Sequence, residues 1–381
     1  MSLFSFRFPT DIRFGPNSID NVPAFLKSNG VSKPMLVTDQ QVKNLPFFVE
    51  LEKNLRSHDL SVQVYSEAEG NPIKKHVIDG VATFKRVAAD AVVSIGGGCA
   101  LDVGKAIALM VGHPGDLFDY EDGKDGAREI KDNIPFTLSI PTTAGTGSEV
   151  GGSSVISDDL SHKKVIIWSN YLVPKLVVAD PVLLLGLPAS ITAATGIDAL
   201  THNIEAYLAK NYHPMCDGIA LEGIRLVFNH LEKSVLEPSH LEARSGMLMA
   251  SMMGAVAFQK GLGVTHSCAH ALSTCFDIHH GLANAIMLPA CLRFNSDHVK
   301  DKLTHIEKIL QIKGDESGCH FIDEVENLIN AVGIRTNLSE LGATLSDKLL
   351  ETAYEDPCHQ NNPKPCTKKD FKEIFETVFA S

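Results

Sequence analysis

The sequence predicts an α/β domain built on a parallel sheet, over residues 1–188, followed by an all-helical domain over residues 189–381. Three observations predict this. Short β-branched runs alternate with helical stretches from residue 34 onward; after Pro188 that rhythm gives way to long apolar periodicities near 3.6; and three consecutive glycines, Gly96-Gly97-Gly98, follow directly on one of the β-branched runs. A chain of 381 residues is longer than most single domains, which favours two cores with a cleft between them. With 44% apolar and 21% charged residues it should fold throughout.

In chain order, residues 3–8 alternate large apolar with other residues and read as a half-buried strand. Residues 34–38 read as a strand, 41–57 as a helix, 61–65 as a strand, 73–88 as a helix and 91–95 as a strand, the βαβ rhythm of a parallel sheet. Further strands are expected at 136–140, 152–157, 164–168 and 176–179, the last ending in Asp180-Pro181. Helices are expected at 189–209, 217–231, 240–258, 265–275, 283–295, 300–311 and 321–331.

Charge and cysteine usage exclude several classes. Lys plus Arg number 34 against 46 Asp plus Glu, a net charge of −12, and no basic stripe is present, so nucleic acid is not an expected partner. The eight cysteines form no CxxC pair and follow no secretory leader, which fits free thiols in a reducing cytosol. No window reaches the roughly eighteen consecutive apolar residues of a membrane span. A soluble, cytoplasmic protein is expected.

The glycines at 96–98 lie where a strand turns into a helix. Backbone N–H groups can approach a phosphate there, and the helix N-terminus adds its positive dipole end, although three glycines serve equally well as a tight turn. In the common dinucleotide fingerprint an acid follows the glycine loop by about 20 residues. Here the candidate, Asp39, ends an earlier strand, which points to a different doubly wound variant; as a bland alternative, Asp39 caps the helix starting near Gln41. Asp102 and Lys105 share one helix face and read, taken alone, as a solvated ion pair. A second polar loop, Pro141-Thr142-Thr143-Ala144-Gly145-Thr146-Gly147-Ser148-Glu149, follows the strand at 136–140 and can wrap a ribose and pyrophosphate. Two such loops on one sheet suggest one shared ligand.

The helical half carries a different chemistry. Asp198 and His202 are four apart in a helical stretch and so project one turn apart from one face, as a metal-binding pair or as a surface ion pair. His266 and His270 repeat the spacing, and His279-His280-Gly281 follows. These histidines lie in apolar surroundings where unpaired imidazoles are costly and coordination would satisfy them. One carboxylate with several imidazoles suits Fe²⁺ or Zn²⁺ better than Ca²⁺ or Mg²⁺.

Gly-Gly-Gly-Cys-Ala-Leu-Asp-Val-Gly-Lys at 96–105, Thr-Thr-Ala-Gly-Thr-Gly-Ser-Glu at 142–149, Gly-Ile-Asp-Ala-Leu-Thr-His-Asn-Ile-Glu-Ala-Tyr at 196–207, and Gly-Leu-Gly-Val-Thr-His-Ser-Cys-Ala-His at 261–270 with His-His-Gly-Leu-Ala-Asn at 279–284 together resemble the iron-containing (group III) alcohol dehydrogenase family. The resemblance spans the chain, including Asn71-Pro72 and Asn362-Pro363. It implies a dehydroquinate synthase-like architecture: an N-terminal dinucleotide-binding domain, a helical metal-binding domain, and a catalytic metal in the cleft. It further implies a homodimer, a small alcohol or aldehyde as substrate, NAD, and Fe²⁺ with Zn²⁺ as the other candidate. Asp198, His202, His266 and His280 match the family's metal ligands, and His270 matches a histidine beside the metal that acts in catalysis; His279 has no ligand role. Gly97, Gly98, Thr142 and Thr143 match cofactor contacts, Asp102 lies in the same motif, Lys164 matches a lysine that reaches the cofactor, and Asp39 matches the acid for the adenosine ribose.

Two departures bear on substrate. Cys99 stands where the family often has Ser, a change that a backbone contact to phosphate survives. The stretch 258–266 is one residue shorter than in the lactaldehyde reductase branch and looks like that of relatives acting on small hydroxy acids such as 4-hydroxybutyrate, with Lys260 as a partner for a carboxylate. The rival reading from another class is a lyase of the dehydroquinate synthase type, which calls for a basic cluster that the sequence does not display.

Overall fold

A computed structural model describes every residue except 1–5, 9, 69, 160–163, 316, 335–336 and 381. The chain forms two compact units, and the division is not a single cut. One unit comprises Phe8–Thr143 and Gly147–Leu184; the other comprises the described residues from Leu185 onward, Phe6 and Arg7, and the three residues Ala144–Thr146.

The first unit runs β1 (Asp11–Phe14), α1 (Val22–Ser28), β2 (Pro34–Val37), α2 (Pro46–Ser57), β3 (Gln63–Tyr65), α3 (Lys74–Val87), β4 (Ala91–Gly96), α4 (Gly98–Gly112), β5 (Phe136–Pro141), β6 (Ser153–Ser157), β7 (Lys164–Trp168) and β8 (Leu176–Ala179). Six strands make a parallel sheet in the order β1-β8-β5-β4-β2-β3, and β6 and β7 pair as a separate antiparallel ribbon. β2, β4 and β8 are buried along their whole length, which is why they read as unbroken apolar runs and not as alternating ones. Side chains of β2 and β4, with those of the largely buried α4, share one core containing Met35, Val92, Val103 and Ile107.

Strand order reverses between β2 and β4. The chain leaves β2 to place β3 on one side, then returns to place β4 on the other. In open α/β sheets, ligands bind beyond the C-terminal ends of strands at such a reversal. Asp39 follows β2, the glycine triplet ends β4, and Thr142 and Thr143 follow β5, so all three signals gather at this end of the sheet.

The strand expected at 3–8 is not found where it can be assessed. Residues 3–5 lie outside the described residues, and Phe6, Arg7 and Phe8 belong to no strand. Among the described residues the first strand is Asp11–Phe14, largely exposed, with β8 as its one partner in the sheet. Without a buried face it carries no apolar signature.

The second unit contains α5 (Ala189–Leu208), α6 (Pro214–Leu236), α7 (Leu241–Ala257), α8 (Val264–Phe276), α9 (His280–Leu310), α10 (Cys319–Ala331), α11 (Asp347–Glu355) and α12 (Lys368–Ala380). The two helices expected at 283–295 and 300–311 are present as the two helical segments of α9, which meet at a kink at Val299 (φ −128°, ψ 20°); Pro289 lies inside the first segment. Pro289 removes one ladder donor without ending the helix. α11 and α12 are additional to the expected set, and α12 buries Phe371, Ile374, Phe375 and Val378 in a core shared with residues of α8, α9 and α11. Among the described residues no single helix is long and apolar enough to cross a membrane.

Candidate functional site

At the strand reversal, Gly96 adopts φ +149°, and a Cβ there would lie 2.8 Å from that of Ala100, so the turn into α4 requires glycine. The N-cap of α4 is Gly97, which brings no side chain of its own to the helix N-terminus, a position that favours an anionic ligand. Thr143 lies beside this turn, 3.4 Å from where a Gly97 Cβ would stand, and the Thr142 amide donates to the Gly96 carbonyl at 3.0 Å. Gly98 is the first residue of α4. Asp39 does two things at once. Its Oδ1 accepts from the Gln41 and Val42 amides at 2.8 and 2.7 Å, the capping role, while Oδ2 lies 3.6 Å from the Gly96 Cβ position and faces the glycine turn.

Asp102 and Lys105 are not the solvated pair that their spacing suggests. Lys105 is 2% exposed and donates to Ser148 Oγ and the Ser153 carbonyl, both at 2.7 Å; Asp102 accepts from Ser148 Oγ at 2.5 Å and the Val155 amide at 3.0 Å. Both carboxylate oxygens are engaged inside the protein, so Asp102 anchors the Ser148 end of the threonine loop and the β6 strand. Burial drives the Asp102 carboxyl up and the Lys105 ammonium down, against their mutual attraction. Lys164, the first residue of β7, adds a positive charge that lowers Asp102.

Glu149 in the same loop is 1% exposed, its Oε1 has no hydrogen-bond partner among the described residues, and burial raises its pKa from 4.5 to about 7, against the pull of its own backbone amide and Lys105. Between about pH 4.5 and 7 the folded protein therefore holds a proton that the unfolded chain has released, so stability falls as pH rises through that window. Glu149→Gln cannot ionise. It should unfold like the parent near pH 4 and be more stable at pH 8 by up to ~3 kcal/mol, read from thermal unfolding at both pH values. A variant no more stable than the parent at pH 8 would refute this account.

Within the same loop, Gly145 packs against α5: a Cβ there would lie 2.8 Å from Thr195 Cβ and 3.0 Å from the Thr195 carbonyl oxygen. Three residues along α5 from Thr195 is Asp198, and one turn further is His202. Both are buried, which removes the surface ion-pair reading. α8 contributes His266 from its first turn, and α9 begins with His280. Each of the four offers one ligand atom, and these atoms lie within 4.8 Å of one another. His280 Nε2 is 3.4 Å and His266 Nε2 4.0 Å from Asp198 Oδ1, and the rings of His202 and His266 stack with centroids 4.6 Å apart.

The set fits a divalent cation. His266 Nδ1 meets Glu205 Oε2 at 2.7 Å, which leaves Nε2 turned toward the cluster, the arrangement by which an outer carboxylate fixes a metal-binding imidazole. Burial takes His202 down to about 4, past the opposing pull of Asp198, so the ring is neutral with a lone pair to give, and its Nδ1 has no hydrogen-bond partner among the described residues. Burial alone would raise Glu205 and lower His266. The bond between them reverses both directions, with the Gly263 and Thr265 amides also donating to Glu205 at 2.9 and 2.7 Å. Asn284, one turn past His280, donates to Asp198 Oδ1 at 2.7 Å and stands 3.2 Å from His280 Nε2.

His270 lies outside the four-ligand group. Its ring stacks on His280 with centroids 5.1 Å apart, and Nδ1 meets Asp356 Oδ2 at 2.8 Å. His279 is exposed at the start of α9. Lys260 is a correction to the hydroxy-acid argument. Its side chain is 0% exposed, pairs with Asp217 and donates to the Tyr207 carbonyl at 2.8 Å, so it has no free charge for a substrate carboxylate. Glu205, Asn284 and Asp356 were not singled out from the sequence. Glu205 and Asn284 could have been, since they follow His202 and His280 by three and four residues on the same helices; Asp356 carries no local signal.

Two family models match the chain: Iron-containing alcohol dehydrogenase over residues 9–181, and Fe-containing alcohol dehydrogenase family, C-terminal, over residues 192–379. The chain is 36% identical to a 4-hydroxybutyrate dehydrogenase of Cupriavidus necator, over 91% of this chain and 92% of that one. It is 33% identical to an NAD-dependent methanol dehydrogenase of Bacillus methanolicus, over 98% and 99%. A solved structure of 1,3-propanediol oxidoreductase matches it with a TM-score of 0.94 at 32% identity, over 99% of this chain and 100% of that one.

Proposed function

The chain belongs to the iron-containing alcohol dehydrogenase family, and from that premise we propose that Asp198, His202, His266 and His280 hold its catalytic cation, that His270 relays the proton, and that the loops at the strand reversal hold NAD. The enzyme is an NAD-linked oxidoreductase interconverting a small alcohol and its aldehyde. The observation that carries the site assignment is the convergence of one carboxylate and three imidazoles, buried, with ligand atoms within 4.8 Å.

A divalent cation bound there supplies Lewis-acid stabilisation to the oxygen of the alcohol or carbonyl. NAD supplies the hydride acceptor. Glu205 keeps His266 in one tautomer, and Asn284 holds Asp198 in place. The backbone amides of Gly97 and Gly98, at the N-terminus of α4, receive the pyrophosphate, Thr142 and Thr143 lie beside it, Lys164 adds positive charge, and Asp102 holds the loop that carries Ser148. His270 takes the proton released in oxidation and returns it in reduction. Iron is the metal that the family name points to, while zinc binds such a ligand set more tightly.

Family membership sets aside the lyase reading. With Lys260 committed to Asp217, a neutral alcohol or diol is favoured over a hydroxy acid, even though one relative is a 4-hydroxybutyrate dehydrogenase. A cytoplasmic setting is supported by eight free thiols, and a homodimer by the edge position of β1, which pairs in the sheet with β8 alone among the described residues. Short alcohols, diols and hydroxy acids should be screened for NADH production with purified, metal-reconstituted protein. Sustained turnover is expected, best with a neutral primary alcohol or diol. Full activity after exhaustive chelation, or no turnover with any of them, would overturn the reading.

Asp39 separates the two nicotinamide cofactors. Its Oδ2 faces the glycine turn, where it can accept from a ribose hydroxyl and would repel a 2′-phosphate. Asp39→Asn keeps the Oδ1 acceptor for Gln41 and Val42 and removes only the charge. It should raise the NADP to NAD ratio of kcat/KM at least roughly tenfold, about 1.4 kcal/mol, with stability unchanged. Asp39→Gly should do the same and also lose roughly 1 kcal/mol of stability with the cap. An unaltered ratio in both would remove Asp39 from cofactor selection.

A further inference from the structure

We propose that Asp356 is a positioning residue for His270, a carboxylate delivered by the segment after α11 that fixes which ring nitrogen carries the proton and which way the ring faces. The inference rests on the reading of His270 as the proton relay.

Asp356 begins the short turn Pro357–Asn361, 86 residues beyond His270, and its carboxylate is held from three directions. Oδ1 accepts from the Cys358 amide at 2.9 Å and from Ser267 Oγ at 2.8 Å; Oδ2 meets His270 Nδ1 at 2.8 Å. Ser267 is itself fixed by the His359 amide, which donates to its hydroxyl at 3.0 Å. Ser267 and His270 are three apart on α8, so one carboxylate spans the helix face that also carries His266. Burial alone would raise the Asp356 carboxyl, but the His270 imidazole, the Cys358 amide and the Ser267 hydroxyl outweigh it and hold it well below the usual carboxylate range.

An ionised carboxylate accepts hydrogen bonds and cannot donate one. The proton shared along this contact therefore sits on His270 Nδ1, and Nε2 keeps the lone pair. Stacking on His280 restricts the ring further. In alcohol oxidation, the substrate O–H bond breaks with its electron pair staying on oxygen. The Nε2–H bond forms, and the charge on the ring is balanced by Asp356. An imidazole with the opposite tautomer would present an N–H where a lone pair is required.

The test is Asp356→Asn. The Cys358 amide and Ser267 hydroxyl both need an acceptor at Oδ1, so the amide oxygen of the asparagine takes that side. Its NH₂ then faces Nδ1 and donates to it, driving the ring proton to Nε2. Expected are an exchanged tautomer in the imidazole ¹⁵N resonances of zinc-loaded protein, a fall in kcat of at least about tenfold with KM little changed, and undiminished metal content. Asp356→Glu, which returns a carboxylate, should recover part of the rate. An unchanged tautomer with unchanged kcat, in protein where His270→Ala is slow, overturns the proposal and leaves the relay reading standing. A His270→Ala enzyme as fast as the parent instead sinks the relay reading, and this proposal with it. Should Asp356→Asn fold poorly, Ser267→Ala, which frees one side of the carboxylate, is expected to lower kcat by a smaller factor at constant KM; an unaffected kcat there also overturns the proposal.

Discussion

Replacing His266 with alanine should strip the enzyme of its metal. Elemental analysis of the purified, reconstituted protein is expected to give about one divalent ion per chain for the parent and about none for the variant. His266 is the most constrained of the four proposed ligands: it is 1% exposed, its Nδ1 is bound to Glu205, and its Nε2 faces Asp198. Alanine removes that nitrogen and also leaves the buried Glu205 carboxylate without its imidazole partner. Activity should fall with the metal by about a thousandfold or more, since Lewis-acid stabilisation supplies several kcal/mol of transition-state energy. Glu205→Gln should be milder, weakening metal affinity by about 10- to 100-fold, because it disturbs the orientation of His266 without deleting it. A His266→Ala protein that retains a full complement of metal would show that the site is elsewhere.

His270→Ala should separate chemistry from coordination. The ring lies against His280 but outside the four-ligand group, so the variant should keep its metal. If it relays the proton, kcat should fall by about 10²- to 10⁴-fold, the usual contribution of a positioned acid or base, and the pH dependence of kcat should change form. Metal content and single-turnover rates on the same preparation decide it. Loss of metal equal to that of His266→Ala would place His270 among the ligands.

The two halves of the fold were legible in the sequence for different reasons. Strands β2, β4 and β8 are buried on both faces, and their β-branched composition marks them directly; α5 to α8 announce themselves through long apolar periodicity. β1 is mostly exposed at a sheet edge, so periodicity has nothing to register. α12 is a different case. Its buried Phe371, Ile374, Phe375 and Val378 follow the i, i+3, i+4, i+7 rule and were readable in principle. At the site, the residues that share a helix with another ligand were visible as pairs, because helical spacing converts sequence into proximity. Asp102 and Lys105 show the limit of that rule: their spacing is correct, but only the neighbouring Ser148, Ser153 and Val155 reveal that the pair is buried. For Lys260 the limit is sharper still, since a cation in a short loop looks available until Asp217, 43 residues away, is seen to occupy it.

The placement of Ala144–Thr146 has a consequence for biosynthesis. These three residues belong with the helical unit although the chain on either side of them belongs with the sheet unit, and Gly145 packs on Thr195. A ribosome adds about 5–20 residues per second, and a domain encoded first can ordinarily mature while the rest is still being made. Here the nascent sheet unit can lay down its strands, but the threonine loop has nothing to rest on until α5 has emerged. A fragment ending at Leu184 would retain Ala144–Thr146 and lack the helix they pack against. Such a fragment is expected to form its sheet yet hold the nucleotide poorly, and cutting the gene at the apparent domain border would not release two independent modules.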